Sequence, residues 1–200
     1  MEIIPLVYMK DRKTHLEEKG DPSSLKETLE KIDEGQNIYF LDIDGLEKNK
    51  PNFCTYQRLS GRHNMWLDVG PRVLGDVVDA VMAGATCIIV RQELWPKLDI
   101  EKIKSFTENE IYVGVDLKTQ AKHLNNVLLP SGIDGVVLLN NREEIEKEFK
   151  TADVARELIR RVGKNKLYIY ESNPENVHYW KKRGAVGLLV NINKIGEFKK

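Results

Sequence analysis

Short apolar runs of strand length recur along the chain, separated by stretches with helical spacing. The runs are EIIPLVYM, NIYFLDID, NMWLDVG, TCIIVR, IYVGVDL, GVVLLN, KLYIYES and VGLLVN. They are nearly continuous in Val, Ile, Leu and Tyr, as parallel strands covered on both faces are. LGDVVDAVMAG predicts a helix with Val77, Val78, Val81 and Met82 on one side, ending at Gly84. TADVARELIRRVG repeats the pattern with Val154, Leu158, Ile159 and Val162, ending at Gly163. A glycine just past the last periodic residue is the usual helix stop. Alternating strands and helices define an α/β fold with a parallel sheet. Eight strands predict a (β/α)8 TIM barrel in which residues 1–200 form a single compact domain with short loops. An open doubly wound sheet is the alternative, but no Gly-rich phosphate turn follows the first strand.

Internal echoes favour the barrel and predict two similar half-barrels. MAGATCIIV (Met82–Val90) is matched by KRGAVGLLV (Lys182–Val190), which pairs the fourth strand with the eighth. LVYMK and VGVDLK pair the first with the fifth. GPRVLGDV and SNPENV pair the helix starts after the third and the seventh.

Barrel chemistry lies at the carboxyl ends of the strands, so the polar residues there are the candidates. Side-chain alternation puts Tyr8 and Lys10 on one face of the first strand, and Asp42 and Asp44 on one face of the second. The third strand ends in Asp68, followed by Gly70 and Arg72, and the fourth ends in Arg91. Gly114, Asp116 and Lys118 share a face of the fifth. Asn140 and Asn141, Glu171, and Asn191 and Asn193 close the last three. Four acids (Asp42, Asp68, Asp116, Glu171) and the cations Lys10, Arg91 and Lys118 would then converge on one rim. Such a ring either pairs internally or binds ligand and moves protons. Asp116, beside a lysine, is the leading general acid or base. Lys118 or Lys10 would serve as cation or Schiff-base amine, and Tyr8 as proton donor.

Composition removes several other classes. With 41% hydrophobic and 31% charged residues and a formal net charge of +0, the chain reads as globular, with no signature of a nucleic-acid or membrane partner. No apolar run is long enough to span a bilayer. Cys54 and Cys87 lack metal or disulfide spacing, which reads as reduced thiols in a cytoplasmic protein, Cys87 serving as a small core residue. The histidines (His15, His63, His123, His178) are expected at the surface. A metal is the weaker reading: Asp42, Asp44, Asp68 and Glu171 could hold Mg²⁺, but no histidine joins them at ligand spacing. No cofactor motif is present. The expected partner is a small polar or phosphorylated metabolite, and a homodimer is compatible with the chain.

Several of these segments, in order, resemble the histidine-biosynthesis barrels. IIPLVYMKDRK is similar to their opening I-I-P-A-I-D-L-K-D-G-K, and IYFLDIDG to their second strand h-h-V-V-D-L-D-G. LDVGPRVLGDVVDAVMAGATCIIV resembles G-G-I-R-S-x-E-D-V…L-x-A-G-A-x-x-V-I-I, and VGVDLK their fifth strand with its aspartate. The likeness covers about residues 1–118, and the remainder follows in rhythm only. The family comprises phosphoribosylformimino-aminoimidazole carboxamide ribotide isomerase and the cyclase of imidazole glycerol phosphate synthase. It implies a half-barrel-duplicated fold, substrates with a phosphate at each end, and paired aspartates on strands one and five. Asp116 matches the second aspartate, but Tyr8 stands at the first. Each such group is worth roughly 10²–10⁴-fold in rate. The family's Gly-Gly phosphate turns keep only Gly70 after strand three and no glycine after strand seven, leaving Arg72 and Arg91 as side-chain substitutes. The expectation is therefore an isomerase- or lyase-type biosynthetic enzyme other than the histidine-pathway isomerase. It is closest to the isomerase-related branch of methanogens and methylotrophs, sometimes linked with one-carbon cofactor biosynthesis. The alternative is a catalytically retired barrel that binds a ligand or partner. Substrate-binding residues would be Asp42, Asp68, Gly70, Arg72, Arg91 and Glu171.

Overall fold

The structure, a computed structural model, describes residues 1–17, 20–30, 32–117, 129–149, 159–163 and 166–199. Eight parallel strands pair in sequence and close on themselves: β1 (Glu2–Lys10), β4 (Asn37–Asp42), β5 (Asn64–Asp68), β6 (Ala85–Val90), β7 (Glu110–Val115), β8 (Gly135–Leu138), β9 (Lys166–Tyr170) and β10 (Gly187–Asn191). Closure is the parallel pairing of β10 with β1, from Glu2 opposite Gly187 to Leu6 opposite Asn191. This is the strand arrangement of a (β/α)8 barrel, each strand coinciding with one of the apolar runs.

The helices are short. Those described are α1 (Leu25–Leu29), α2 (Ile43–Lys48), α3 (Phe53–Leu59), α4 (Leu74–Met82), α5 (Ile100–Lys104), α6 (Arg142–Phe149), α7 (Val177–Lys182) and α8 (Ile195–Phe198). Among the described residues, no helix is long and apolar enough to cross a membrane. The helix expected through Val154 and Leu158 lies outside the described residues, as do His123 and the candidate Lys118.

Strand alternation separates two cores. Ile4, Leu6 and Tyr8 on β1 face the lumen, joined by Tyr39, Trp66, Cys87, Ile89, Tyr112, Val137, Tyr168 and Leu189. Val7, Met9, Phe40, Leu67, Ile88 and Val113 face outward and meet the helices. Period-2 side-chain direction puts neighbouring residues of one strand in different cores. The lumen is closed by aromatic packing: Trp66 meets Tyr112 and Tyr168 edge-on, at centroid distances of 4.9 and 4.7 Å.

Three expectations are corrected. On α4, Val77 is buried, but Val78 and Met82 are 41% and 72% exposed, so the inward stripe is narrower than the pattern implied. The first strand does not end at the mouth. It turns through Asp11 and Arg12, both at positive φ (50° and 63°), into β2 (Lys13–His15), which pairs with β3 (Pro22–Ser23). Positive φ at both central residues marks the two-residue hairpin turn that fits strand twist. Finally, His63 is 9% exposed and belongs to the interior.

Candidate functional site

At the carboxyl ends of the strands lies a cavity of about 370 Å³. Its apolar walls include Leu6, Leu41, Ile43 and Leu139, and its polar groups are Tyr8, Arg91, Asp116, Asn140, Glu144, Glu47 and Tyr170. Three of the predicted site residues, Tyr8, Arg91 and Asp116, are thus brought together.

Arg91 and Asp68 continue the lumen-facing registers of Ile89 and Trp66. The guanidinium Nε donates to Asp68 Oδ1 at 3.0 Å and Nη2 donates to Oδ2 at 2.6 Å. Tyr39 Oη donates to the same Oδ2 at 2.6 Å. Asp68 is fully buried and Arg91 nearly so. Burial works against the Arg91 charge, but Asp68 more than offsets it and raises the guanidinium pKa further. Burial, and then the Asp68 charge, push the Tyr39 phenol well up, so it stays a proton donor. The absence of a side chain at Gly114 makes room for this group. A Cβ there would lie 2.9 Å from Ile89 Cγ2 and 3.5 Å from Arg91 Cγ.

Asp116 follows β7 and is oriented by Asn140 across the β7–β8 seam. Asn140 Oδ1 accepts from Leu117 N at 2.7 Å, which directs its Nδ2 to Asp116 Oδ1 at 3.2 Å. On the facing side, Tyr8 Oη donates to Asn191 Oδ1 at 3.4 Å, and Asn191 Nδ2 donates to Tyr170 Oη at 3.3 Å. Burial raises the Tyr170 pKa and the Asn191 bond only partly opposes it, so Tyr170 remains a phenol at neutral pH. The cavity therefore joins a carboxylate, an amide that positions it, and two phenols, from β1 and β9. That set can orient a polar molecule and exchange a proton with it.

The remaining candidates lie elsewhere. Asp42 and Glu171 have the outward register of Phe40 and Ile169, so their side chains lie between sheet and helices, where strict alternation would have put them. Asp42 accepts from Gly45 N at 2.9 Å, Asn52 N at 2.7 Å and Tyr56 Oη at 2.7 Å. Burial raises its pKa despite these donors. Glu171 accepts from Ser172 N, Asn173 N, Arg142 N and Trp180 Nε1, the last at 2.8 Å. Asp44 accepts from Asp11 N and from Lys48 Nζ at 2.8 Å. Burial works to raise its pKa, yet these bonds, with one from Asn52, leave it lowered. Lys10 is opposite Lys13 beside the hairpin turn, away from the cavity walls.

Gly70 takes φ 67°, and a Cβ there would lie 3.1 Å from Leu46 Cα, so it serves a tight approach of the loop to α2. Arg72 Nη1 donates to Asn49 Oδ1 and to the Gly45 and Gly70 carbonyls, while Nη2 donates to the Leu46 carbonyl. It caps carbonyls of α2 and its following loop.

Sequence reasoning missed Tyr170, Glu144 and Glu47 as cavity walls. Tyr170 was available from its shared register with lumen-facing Tyr168 in KLYIYE. Glu144 was available as the partner of Asn141 in a helix start, where Asn141 Oδ1 accepts from Glu144 N at 2.9 Å and Glu144 Oε2 from Asn141 N at 3.1 Å. Glu47 had no such signal. Among the described residues, no group of three His, Cys, Asp or Glu side chains is arranged to hold a metal.

No family model and no curated protein sequence matches the chain. The closed parallel barrel is the class of protein that the structure defines.

Proposed function

We propose that this barrel is a small-metabolite enzyme of isomerase or lyase type, with Asp116 as the proton-transfer group and Tyr8 and Tyr170 as hydrogen-bond donors to the ligand. The observation that carries this reading is the mouth cavity of about 370 Å³, in which Asp116 and Tyr8 both take part. The motif resemblance to the histidine-biosynthesis barrels and the strand echoes of a two-half design support the reading. The proposed activity is not that of the histidine-pathway isomerase, since the strand-one aspartate is replaced by Tyr8.

The ligand we propose carries no pair of terminal phosphates. At both places where the family would hold phosphate, the chain's own carboxylates take the backbone N–H groups. After β5, Asp76 Oδ2 accepts from Arg72 N at 2.7 Å and Val73 N at 3.1 Å. After β9, Glu171 Oε1 accepts from Ser172 N at 2.8 Å and Asn173 N at 3.0 Å. An arriving phosphate would have to displace a carboxylate from each, against like charge.

A second reading, a retired barrel that only binds, is favoured by the full engagement of Asp42, Asp68 and Glu171 with protein donors. One experiment separates the two. Small polar metabolites, with and without phosphate, are screened by thermal shift, and each ligand found is incubated with the protein in D2O. Enzyme function predicts deuterium incorporation at a carbon acid of the ligand, lost in Asp116→Asn by roughly 10²–10⁴-fold in rate. Ligands that bind without exchange would leave the binder. Binding and exchange both indifferent to Asp116→Asn would refute the site. Expression in an isomerase-deficient histidine auxotroph is expected to give no growth.

A further inference from the structure

A second cavity, of about 430 Å³, opens between α1 and the end of α3. It lies toward the amino-terminal ends of β4 and β5, since Ile32 and Glu34 lead into β4 and His63 immediately precedes β5. The mouth cavity is at the opposite, carboxyl ends. The walls are apolar: Leu25 and Leu29 are adjacent on one face of α1, and Ile32 and Leu59 complete the lining.

Two features of this cavity have no structural use. The first is His63, which is 9% exposed and whose Nδ1 has no hydrogen-bond partner. Among the described residues it is the one buried side-chain nitrogen or oxygen without a hydrogen-bond partner. Buried polar atoms are normally paired, and an orphan points to a partner from outside the chain. The second is a pair of rim cations. Arg58 lies in the last turn of α3 and Arg62 follows four residues later, and neither guanidinium has a hydrogen bond or ion pair among the described residues. Elsewhere on the rim, Lys26 is paired with Glu30 at 3.9 Å. That leaves Glu34 against two arginines, an excess of one positive charge among the described residues.

We infer that this cavity binds a small amphipathic monoanion, a carboxylate with an apolar body. The body lies along Leu25, Leu29, Ile32 and Leu59, Arg58 and Arg62 take the carboxylate, and the His63 ring forms part of the wall beside them. The geometry suits one charged end and one apolar end, and it is separate from the chemistry of the mouth.

The test uses the full chain with octanoate, octyl phosphate, octanol and acetate as probes. Binding is followed by calorimetry and by the ring-nitrogen resonances of His63, assigned through His63→Gln. Octanoate is expected to saturate and to shift the His63 ring signals, with acetate failing for want of an apolar body. Octanol should bind about tenfold more weakly, and the exposed double variant Arg58→Glu/Arg62→Glu should weaken octanoate by at least that factor. Octyl phosphate should bind no tighter than octanoate, matching a single excess charge. The proposal is overturned by equal affinity for octanol and octanoate, by tighter binding of octyl phosphate, or by unmoved His63 signals at saturation. It is also overturned by indifference to the charge reversal, or by no saturable binding below about 10 mM, a free energy near −3 kcal/mol. Binding is read on the wild-type protein, and His63→Gln serves only to assign the ring signals, so weakened binding in a variant is not needed for the outcome.

Discussion

Replacing Arg91 by Met should expose how the floor of the mouth is held together. The wild-type guanidinium gives Asp68 bonds of 3.0 Å from Nε and 2.6 Å from Nη2, and Tyr39 gives one more at 2.6 Å. In the variant only the Tyr39 bond remains on a fully buried carboxylate. Two hydrogen bonds to a charged group are worth about 3–6 kcal/mol net, and breaking a buried ion pair from one side costs about 3–5 kcal/mol. The two routes agree, so the expected loss is about 4 kcal/mol. For a chain of this length that lowers Tm by roughly 8–16 °C. Asp68→Asn alone should also destabilise, by stranding the guanidinium. The double variant Asp68→Asn/Arg91→Met removes both charges while keeping the Tyr39 bond, and should lie within about 2 kcal/mol of wild type. Urea unfolding of all four proteins gives the cycle. A cost under about 1 kcal/mol for Arg91→Met, or a double variant as unstable as the sum of the singles, would falsify the claim that this pair acts as one buried unit.

Other substitutions test separate parts of the molecule. Gly114→Val places a branched side chain 2.9 Å or less from Ile89 Cγ2 and should cost about 1–3 kcal/mol by overpacking; a urea midpoint unchanged from wild type would mean that the lumen has room. Trp180→Phe removes the 2.8 Å indole donor from Glu171 and should cost about 1–3 kcal/mol, read in the same assay. Asp44 has a folded pKa below its ordinary 3.8, so its stabilisation is present above that value and is lost as pH falls through the folded pKa. Asp44→Asn should therefore flatten the loss of stability below about pH 4, and an acid limb as steep as wild type would contradict the assignment. Asp42 carries the opposite sign. Its folded pKa is raised, so its contribution is fully present below 3.8 and fades as pH rises through the folded value.

The fold was legible because barrel strands are covered on both faces. Eight apolar runs such as TCIIV and GVVLL need no register to be recognised, and each became a barrel strand. Helix faces were harder. The pattern Val77, Val78, Val81, Met82 spans a wider arc than the sheet can cover, and only the part next to Val77 and Ala80 is buried. The β1–β2 hairpin was missed because Asp11-Arg12 carries no glycine or asparagine. Its turn is held from outside, by Asp44 accepting from Asp11 N and by the Lys48 ion pairs to Asp11 and Asp44.

Reading the site required one step more than finding polar residues at strand ends. Asp42, Asp68, Asp116 and Glu171 all end strands, but a single residue of register separates lumen from helix layer. Asp68 and Asp116 continue lumen-facing positions; Asp42 and Glu171 continue helix-facing ones. The outward pair then takes a different task, closing its own loops by accepting backbone N–H groups, and Asp76 in the first turn of α4 does the same for the loop before it. A carboxylate supplied by the chain fills each amide cluster permanently, so these loops hold their shape without a bound anion, and that also removes the positive ends on which a phosphate could settle. Asp116 differs from Asp42 and Glu171 because it continues a lumen-facing register and borders the mouth cavity, where Asn140 Nδ2 donates to its Oδ1 at 3.2 Å. That place on the wall of the mouth cavity is why Asp116 is the group whose substitution should separate binding from turnover.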